Sequence, residues 1–496
     1  MTIVKQSRYN IVVPLLEGRA LAHNTLSGAT VVLAPEELSI LERPSNSNST
    51  DRDSHFKNLL YSGFLVPNHI DELKLVEREF ARQRFDPSVM VLFIAPTLNC
   101  NFGCDYCFQG SNKPTAKMSE TVQDAILGLV EHYAPTLKKL RVAWYGGEPL
   151  LAPAVIDSLS DRLIETCRRH TIRYSAMIVT NGYKLNATVA KSLHSRRVGF
   201  AQVTLDGAAE SHDCRRTTLG GRGTFDRIIK NLHEVLENSG LRIEVRSNID
   251  VRNAASIAGL LALLAEHGFA NRKNFSVFFA PVEAITQGCH SVSESCMTKT
   301  DYAKLETSLY RRAYGLGLAS LPYPPRPFQG LCVAIRPRGF VVAPNGDVHK
   351  CTSTISMPHL RVGSVFDGES LEADVRVQEW MHWTPFENAA CRGCKLLPSC
   401  TGSCAHKFIN ADQTRGEMAS LPCPSWKYQI KERLIKIAVK NGTIRQDEFN
   451  PEDVATDPAE ICPDLDPDVR SRELTRQNSI NLGASSLMNV TVSRRG

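Results

Sequence analysis

At 496 residues, 42% hydrophobic and 22% charged, the chain is roughly three to four times the size of an ordinary single domain and can bury large cores without disulfides. A small stapled scaffold and general disorder are excluded. The 58 Lys and Arg against 52 Asp and Glu leave a net charge of +6, too dilute to imply nucleic acid or an anionic membrane as a partner.

The longest apolar runs, residues 89–95 and 257–265, are shorter than the roughly 18 residues a membrane span needs. Lys5 and Arg8 precede an apolar stretch at 11–16, but Pro14 breaks it and no small-residue cleavage site follows. A cytoplasmic location is therefore expected. A reducing compartment turns the 15 cysteines toward metal ligation or catalysis rather than disulfides.

In chain order, residues 1–87 begin with strand-like segments at 9–15, 21–24 and 29–33, the first two parted by the turn signal Glu17-Gly18. Two short helices follow, separated by the polar stretch 44–53, and an apolar patch at 64–66 comes after Gly63. This pattern predicts a small winged-helix-like α+β module, with a packing extension of the main domain as the alternative. Between 88 and 320, strand-length apolar runs at 89–95, 140–144, 176–180, 200–205, 243–249 and 275–280 alternate with amphipathic stretches of helix length. Six such units predict an α/β fold: parallel strands closed partly or fully into a (β/α) barrel, with its chemistry at the carboxyl ends of the strands. The Pro-rich passage 321–327 marks a boundary to a cysteine-rich region, 321–427, whose few regular elements imply organisation by ligand bonds. A helix at 428–440 opens the last segment, 428–496. Its stretch 447–468 holds nine acids, four prolines and no base, and is expected to be mobile or to lie along the surface.

Cys100, Cys104 and Cys107 form a CxxxCxxC loop directly after the first barrel strand. Three thiolates at this spacing can hold three irons of a 4Fe-4S cube and leave the fourth iron open. A zinc site lacking its fourth ligand is the weaker alternative. The loop, Cys100-Asn101-Phe102-Gly103-Cys104-Asp105-Tyr106-Cys107-Phe108, resembles the signature of the radical S-adenosylmethionine (radical SAM) enzymes. The resemblance implies that the open iron chelates S-adenosylmethionine and that cluster reduction releases a 5′-deoxyadenosyl radical, which abstracts hydrogen from an unactivated C–H. Tyr106 and Phe108 would then pack beside the cluster and adenosine.

Further strand ends agree with that resemblance. Gly146-Gly147-Glu148-Pro149 is similar to the family's GGEP segment, where glycines let the backbone approach a ligand and an acceptor receives the methionyl ammonium. Thr180-Asn181 ends the third strand. Thr204 and Arg216 would face the cofactor's carboxylate, and Asn248 on the fifth strand would contact the ribose. For these polar residues outside GGEP, capping or turn stabilisation is the competing role. Asp206 and Asp213 are candidates to accept a proton, with Asp206 the expected catalytic carboxylate.

Cys332, Cys351, Cys391, Cys394, Cys400, Cys404 and Cys423 are similar to the SPASM extension of radical enzymes, which houses two auxiliary 4Fe-4S clusters. By resemblance, Cys391, Cys394, Cys400 and Cys423 ligate one cluster, and Cys332, Cys351 and Cys404 supply three ligands to the other, making three clusters in all. The relatives' extra upstream cysteine is missing, since position 326 is Arg. Either Cys289 or Cys296 folds back, or an iron is open to a substrate thiolate. Two ribbon-type zinc sites are the rival reading. Cys167, Cys214 and Cys462 have no partner spacing and are expected to be ordinary thiols.

The resemblance implies an oxidoreductase-type maturase that crosslinks or otherwise modifies a ribosomally made peptide or protein, fed by a low-potential donor such as flavodoxin or ferredoxin. The N-terminal module would grip the peptide by strand addition. The alternative is an anaerobic sulfatase-maturing enzyme, against which stands Thr352, where those relatives carry an aspartate after the cysteine matching Cys351. A non-catalytic iron–sulfur carrier or a zinc-organised scaffold would explain the cysteines but not the motifs at successive strand ends.

Overall fold

The computed structural model describes residues 3–44, 50–111, 113–319, 326–328 and 330–462. The N-terminal part comprises β1 (Val4–Gln6), β2 (Asn10–Pro14), β3 (Ala20–Asn24), β4 (Thr30–Leu33), α1 (Pro35–Glu42), α2 (Thr50–Tyr61), β5 (Leu65–Pro67) and α3 (Glu72–Arg84). Strands β2, β3 and β4 form an antiparallel meander, and β1 pairs with β5. Ala22, Leu33, Ile40, Leu41, Leu59, Phe64 and Leu65 make its own small core. Helix α3, which the periodicity did not reveal, has a narrow buried stripe of Val76, Phe80 and Arg84. Its N-terminus is set by the Asp71 carboxylate accepting from Lys74 N at 3.2 Å.

All six expected barrel strands form: β6 (Val89–Ile94), β7 (Lys139–Trp144), β8 (Arg173–Thr180), β9 (Val198–Thr204), β10 (Arg242–Ile249) and β11 (Phe275–Pro281). They pair in parallel in chain order, linked by α4 (Glu120–Tyr133), α5 (Pro153–Arg169), α6 (Ala187–Ser195), α7 (Ala209–Arg215), α8 (Phe225–Asn238) and α9 (Ile257–Glu266); α10 (Lys299–Gly315) follows β11. Burial on alternate residues of β10 and the apolar stripe of α8, with Ile228, Leu232, Val235 and Leu236 inside, show why these segments lie in layers.

The barrel is partial. On the open side of β6 the cysteine-rich region adds β12 (Gly339–Val342), parallel to β6, then β13 (Asp347–His349) and β14 (Gly363–Ser364), both antiparallel, giving one nine-stranded sheet. These strands are two to four residues long, too short for a periodic signal. The acidic stretch expected to be mobile or superficial is docked as far as Cys462. Leu16 N donates to Glu448 O at 2.8 Å, Lys431 Nζ to Glu460 at 2.6 Å, and Val454 and Ile461 are buried. The small apolar residues between the acids supply that attachment; residues 463–468 of the stretch lie outside the described residues. Among the described residues no helix is long and apolar enough to cross a membrane.

Arg84 locks α3 to the cysteine-rich region. Its buried guanidinium donates to the carbonyls of Ile335 (2.8 Å), Trp383 (2.8 Å), Trp380 (2.9 Å) and Met381 (2.9 Å). Replacing it leaves these acceptors without its donors. Arg84→Ala is expected to lower stability by about 3 kcal/mol, read as a reduced denaturant midpoint, and Arg84→Lys recovers only part because an ammonium cannot span four carbonyls.

Candidate active site

Residues 95–107 leave the end of β6 and carry the first three cysteines. Neighbouring segments hold this loop on both sides. Gly103 N donates to Thr217 O at 3.2 Å and Leu219 N to Asn101 O at 3.0 Å, while Asp105 accepts from Arg252 at 2.5 Å. Arg252 also pairs with Asp250 at 2.6 Å, and Asp250 with Arg215 at 3.0 Å, so the loop is anchored to the ends of β10 and α7. Cys100 Sγ accepts from Phe102 N at 3.4 Å, and Asn181 Nδ2 lies 3.9 Å from it. Burial pushes the Cys104 thiol up to about 11, partly opposed by Arg216, and it raises Cys100 as well.

The double glycine does more than admit a ligand. A Cβ on Gly147 would lie 2.2 Å from the carbonyl oxygens of Leu98 and Asn99, and one on Gly146, at φ +119°, would lie 2.5 Å from Thr97 O. The two glycines therefore pack backbone against the root of the cysteine loop. Glu148 N donates to Asn99 O at 2.7 Å. Its fully buried carboxylate accepts from Thr180 Oγ1 (2.7 Å), Asn181 N (2.7 Å) and Leu150 N (3.0 Å). Glu148 and Pro149 thus brace the wall, and Gly146 and Gly147 are the members of the motif that line the cavity.

Tyr106 is a hub. Its hydroxyl donates to Asp206 and accepts from Arg216 Nη1 and, at 3.2 Å, from Asn248 Nδ2. Asp206 is fully buried, accepts from Asn248 N at 2.8 Å and stands 3.7 Å from Arg216. It does not line the cavity; its carboxylate is turned to Tyr106 and Arg216. Asp213 accepts from Thr224 N (2.7 Å) and Phe225 N (3.0 Å) and caps the start of α8.

A cavity of about 440 Å³ opens at the carboxyl ends of the strands. Cys100, Cys104, Cys107, Tyr106, Gly146, Gly147, Thr180, Asn181, Thr204, Arg216 and Asn248 all line it, so the fold brings together segments more than a hundred residues apart. Gln109 and Glu283, which carried no motif, line it as well, together with Tyr145, Arg246 and Thr352. Gln109 Nε2 donates to Gly146 O at 2.8 Å, and its Oε1 is buried without a hydrogen-bond partner among the described residues, as is Arg216 Nε. An unmet acceptor and an unmet donor in one cavity fit a ligand bearing an ammonium and a carboxylate. Glu283 pairs with Lys407 at 2.6 Å and Lys299 at 3.5 Å; burial opposes its charge, but the two ammonium groups win and hold its carboxyl below the ordinary range.

In the cysteine-rich region, Cys391, Cys394, Cys400 and Cys423 line one pocket, joined by Cys462, which was expected to be an ordinary thiol. Cys332 is exposed, and the neighbouring Cys351 and Cys404 push its thiol up. Cys289 and Cys296 donate to backbone carbonyls and pack beside Tyr106 and Phe108, against the barrel loop. Among the described residues no three His, Cys, Asp or Glu side chains converge on a single-ion site.

Residues 94–250, the barrel from the end of β6 through β10, match the family described as the Radical SAM superfamily. This barrel is a radical SAM domain. Members bind S-adenosylmethionine and a 4Fe-4S cluster, and this barrel has thiols and polar groups suited to both. The radical SAM chain is 27% identical over 170 residues to the Fe-coproporphyrin III synthase of Methanosarcina barkeri, covering 34% of this chain and 39% of that protein. It is 24% identical over 149 residues to a cysteine-type anaerobic sulfatase-maturating enzyme of Clostridium novyi, covering 29% and 40%. The matches thus span well under half the length of these relatives. In fold it is similar to native anSMEcpe with bound AdoMet and Kp18Cys peptide, with a TM-score of 0.54 and 18% identity, covering 71% of this chain and 98% of that one.

Gly147→Ala tests the close packing. The displaced loop should cost roughly a hundredfold in reductive cleavage of S-adenosylmethionine and loosen iron in the barrel; 5′-deoxyadenosine assays and iron counts read both.

Proposed function

We propose that this radical SAM enzyme is a peptide or protein maturase carrying three 4Fe-4S clusters. One observation carries the reading: the cavity that begins at Cys100, Cys104 and Cys107 ends at Thr352, next to Cys351 of the auxiliary region. A substrate held there borders both the barrel cluster and the three-thiol set of Cys332, Cys351 and Cys404, whose remaining iron would be open to a substrate thiolate. A neighbour in fold was seen with a peptide bound, which supports a peptide here. The β2–β4 meander supports it too, because β4 pairs only with β3 among the described residues and leaves an edge for an extended segment.

When bound to the reduced cluster, S-adenosylmethionine supplies a 5′-deoxyadenosyl radical for hydrogen abstraction. The chain's own residues hold and orient. Cys100, Cys104 and Cys107 hold three irons; the Gly146–Gly147 backbone with Gln109 receives the cofactor's ammonium end; Arg216 and Thr204 meet its carboxylate; Asn248 lies along the ribose. Asp206, behind Tyr106, keeps Arg216 in place. Thr180 and Asn181, fixed by Glu148, close the wall and exclude water. The expected reductant is a low-potential flavodoxin or ferredoxin of the cytoplasm.

The outcome we favour is a thioether or carbon–carbon crosslink or a related modification. Formylglycine formation is the second reading, favoured by the sulfatase-maturating relative. Against it, Thr352 lines the cavity where those enzymes are expected to place a carboxylate. Glu283 is the carboxylate that does line the cavity, and its two ammonium partners suit it to binding substrate rather than taking a proton. Product mass separates the readings: a crosslink loses two hydrogens and keeps all sulfur, whereas formylglycine formation from cysteine loses the sulfur.

Anaerobic reconstitution should give about twelve irons per chain and reductant-dependent 5′-deoxyadenosine. Replacing Cys100, Cys104 and Cys107 together with Ala should abolish cleavage and remove about four irons. Zinc in place of iron, with no cleavage, would sink the proposal.

A further inference from the structure

The pocket of the second auxiliary site holds five thiols. The turn Pro458–Ile461 brings the tail back onto the cysteine-rich region, where Lys395 N donates to Ile461 O at 3.0 Å and Cys462 N to Pro458 O at 2.8 Å. Cys462 is only 3% exposed and lines the pocket with Cys391, Cys394, Cys400 and Cys423. The thiols of Cys394 and Cys423 are among its neighbours in that pocket. A 4Fe-4S cube has four corners, so one sulfur is in excess.

Hydrogen bonding distinguishes the five. Cys394 Sγ accepts the backbone N–H of Leu396 at 3.4 Å, as Cys100 accepts from Phe102 and Cys351 from Ser353, both also at 3.4 Å. An N–H aimed at sulfur favours the charged, ligating form. Cys462 instead donates its S–H to Ala390 O at 3.6 Å, as a neutral thiol does. Cys394 is therefore equipped as a resting ligand, and Cys462 waits beside it. Lys427, whose Nζ lies 3.9 Å from Cys423 Sγ, adds a buried cation to the same pocket.

We propose that Cys462 is a reserve ligand of this auxiliary cluster, placed to take the corner of Cys394. In the exchange the iron–sulfur bond to Cys394 breaks and one to Cys462 forms; the proton leaving Cys462 passes to the Cys394 sulfur, and no electron is transferred. The inference rests on the reading of an iron–sulfur cluster at Cys391, Cys394, Cys400 and Cys423.

The test compares the full chain as wild type, Cys462→Ala, Cys394→Ala and the double variant. Each is purified anaerobically in thiol-free buffer, with iron and sulfide counted, Mössbauer and EPR spectra recorded and circular dichroism checking the fold. Cys462→Ala and Cys394→Ala should each keep the wild-type iron count, with altered EPR g-values in Cys394→Ala, and the double variant should lose about four irons. If Cys394→Ala alone loses about four irons, or if the double variant loses none, the reserve role is overturned while the cluster stands. A wild-type chain whose only iron disappears with Cys100, Cys104 and Cys107 would overturn the auxiliary cluster and this inference together.

Discussion

A carboxylate buried at the mouth of the sheet holds the site together. Glu148 is fully enclosed, and such a charge is costly unless donors surround it. Thr180, Asn181 and Leu150 supply three, while its own N–H reaches back to Asn99 in the cysteine loop. One residue thus joins the ends of β7 and β8 to the root of the loop that carries Cys100. The glycines before it complete the arrangement, because only a residue without a side chain lets these two backbones meet.

The other wall is built from charge. Asp206, Arg216 and Asn248, from the ends of β9 and β10 and the helix after β9, meet at the hydroxyl of Tyr106 from the cysteine loop. Inside protein such hydrogen bonds are strong, and they keep a guanidinium buried beside three thiols. Arg216 is held well above its ordinary range because the nearby Cys104, Tyr106 and Asp206 outweigh the cost of its burial. The same attraction that stabilises Arg216 partly offsets the burial that raises Cys104, so the loop and its wall share one electrostatic balance.

The cysteine-rich region is not a separate appendage. Strand β12 extends the barrel sheet, Arg84 ties the N-terminal part to Trp380, Met381 and Trp383, and Thr352 reaches the barrel cavity. The N-terminal part also touches it where Thr25 Oγ1 donates to Lys395 O and Arg8 Nη2 to Arg392 O at 2.5 Å. Any motion of the leading meander is therefore felt one step from Cys391 and Cys394.

Cysteine spacing and six apolar runs at strand length were legible in the chain alone. A CxxxCxxC loop or a parallel strand depends on residues close in sequence, and local chemistry dictates both. What lay beyond reach were placements set by long-range packing. Glu148 turns its carboxylate into the wall, Asp206 sits behind Tyr106, Gln109 and Glu283 enter the cavity, and β12–β14 finish the sheet, all through partners dozens to hundreds of residues away. Cys462 shows the limit most plainly: no spacing links it to another cysteine, and only the fold of a polar tail, pinned by Val454 and Ile461, brings its sulfur to four others. The sequence by itself determined the kind of chemistry, because ligand spacing is local. The tertiary structure alone decided which groups face the cavity, because burial and hydrogen-bond satisfaction are properties of the whole fold.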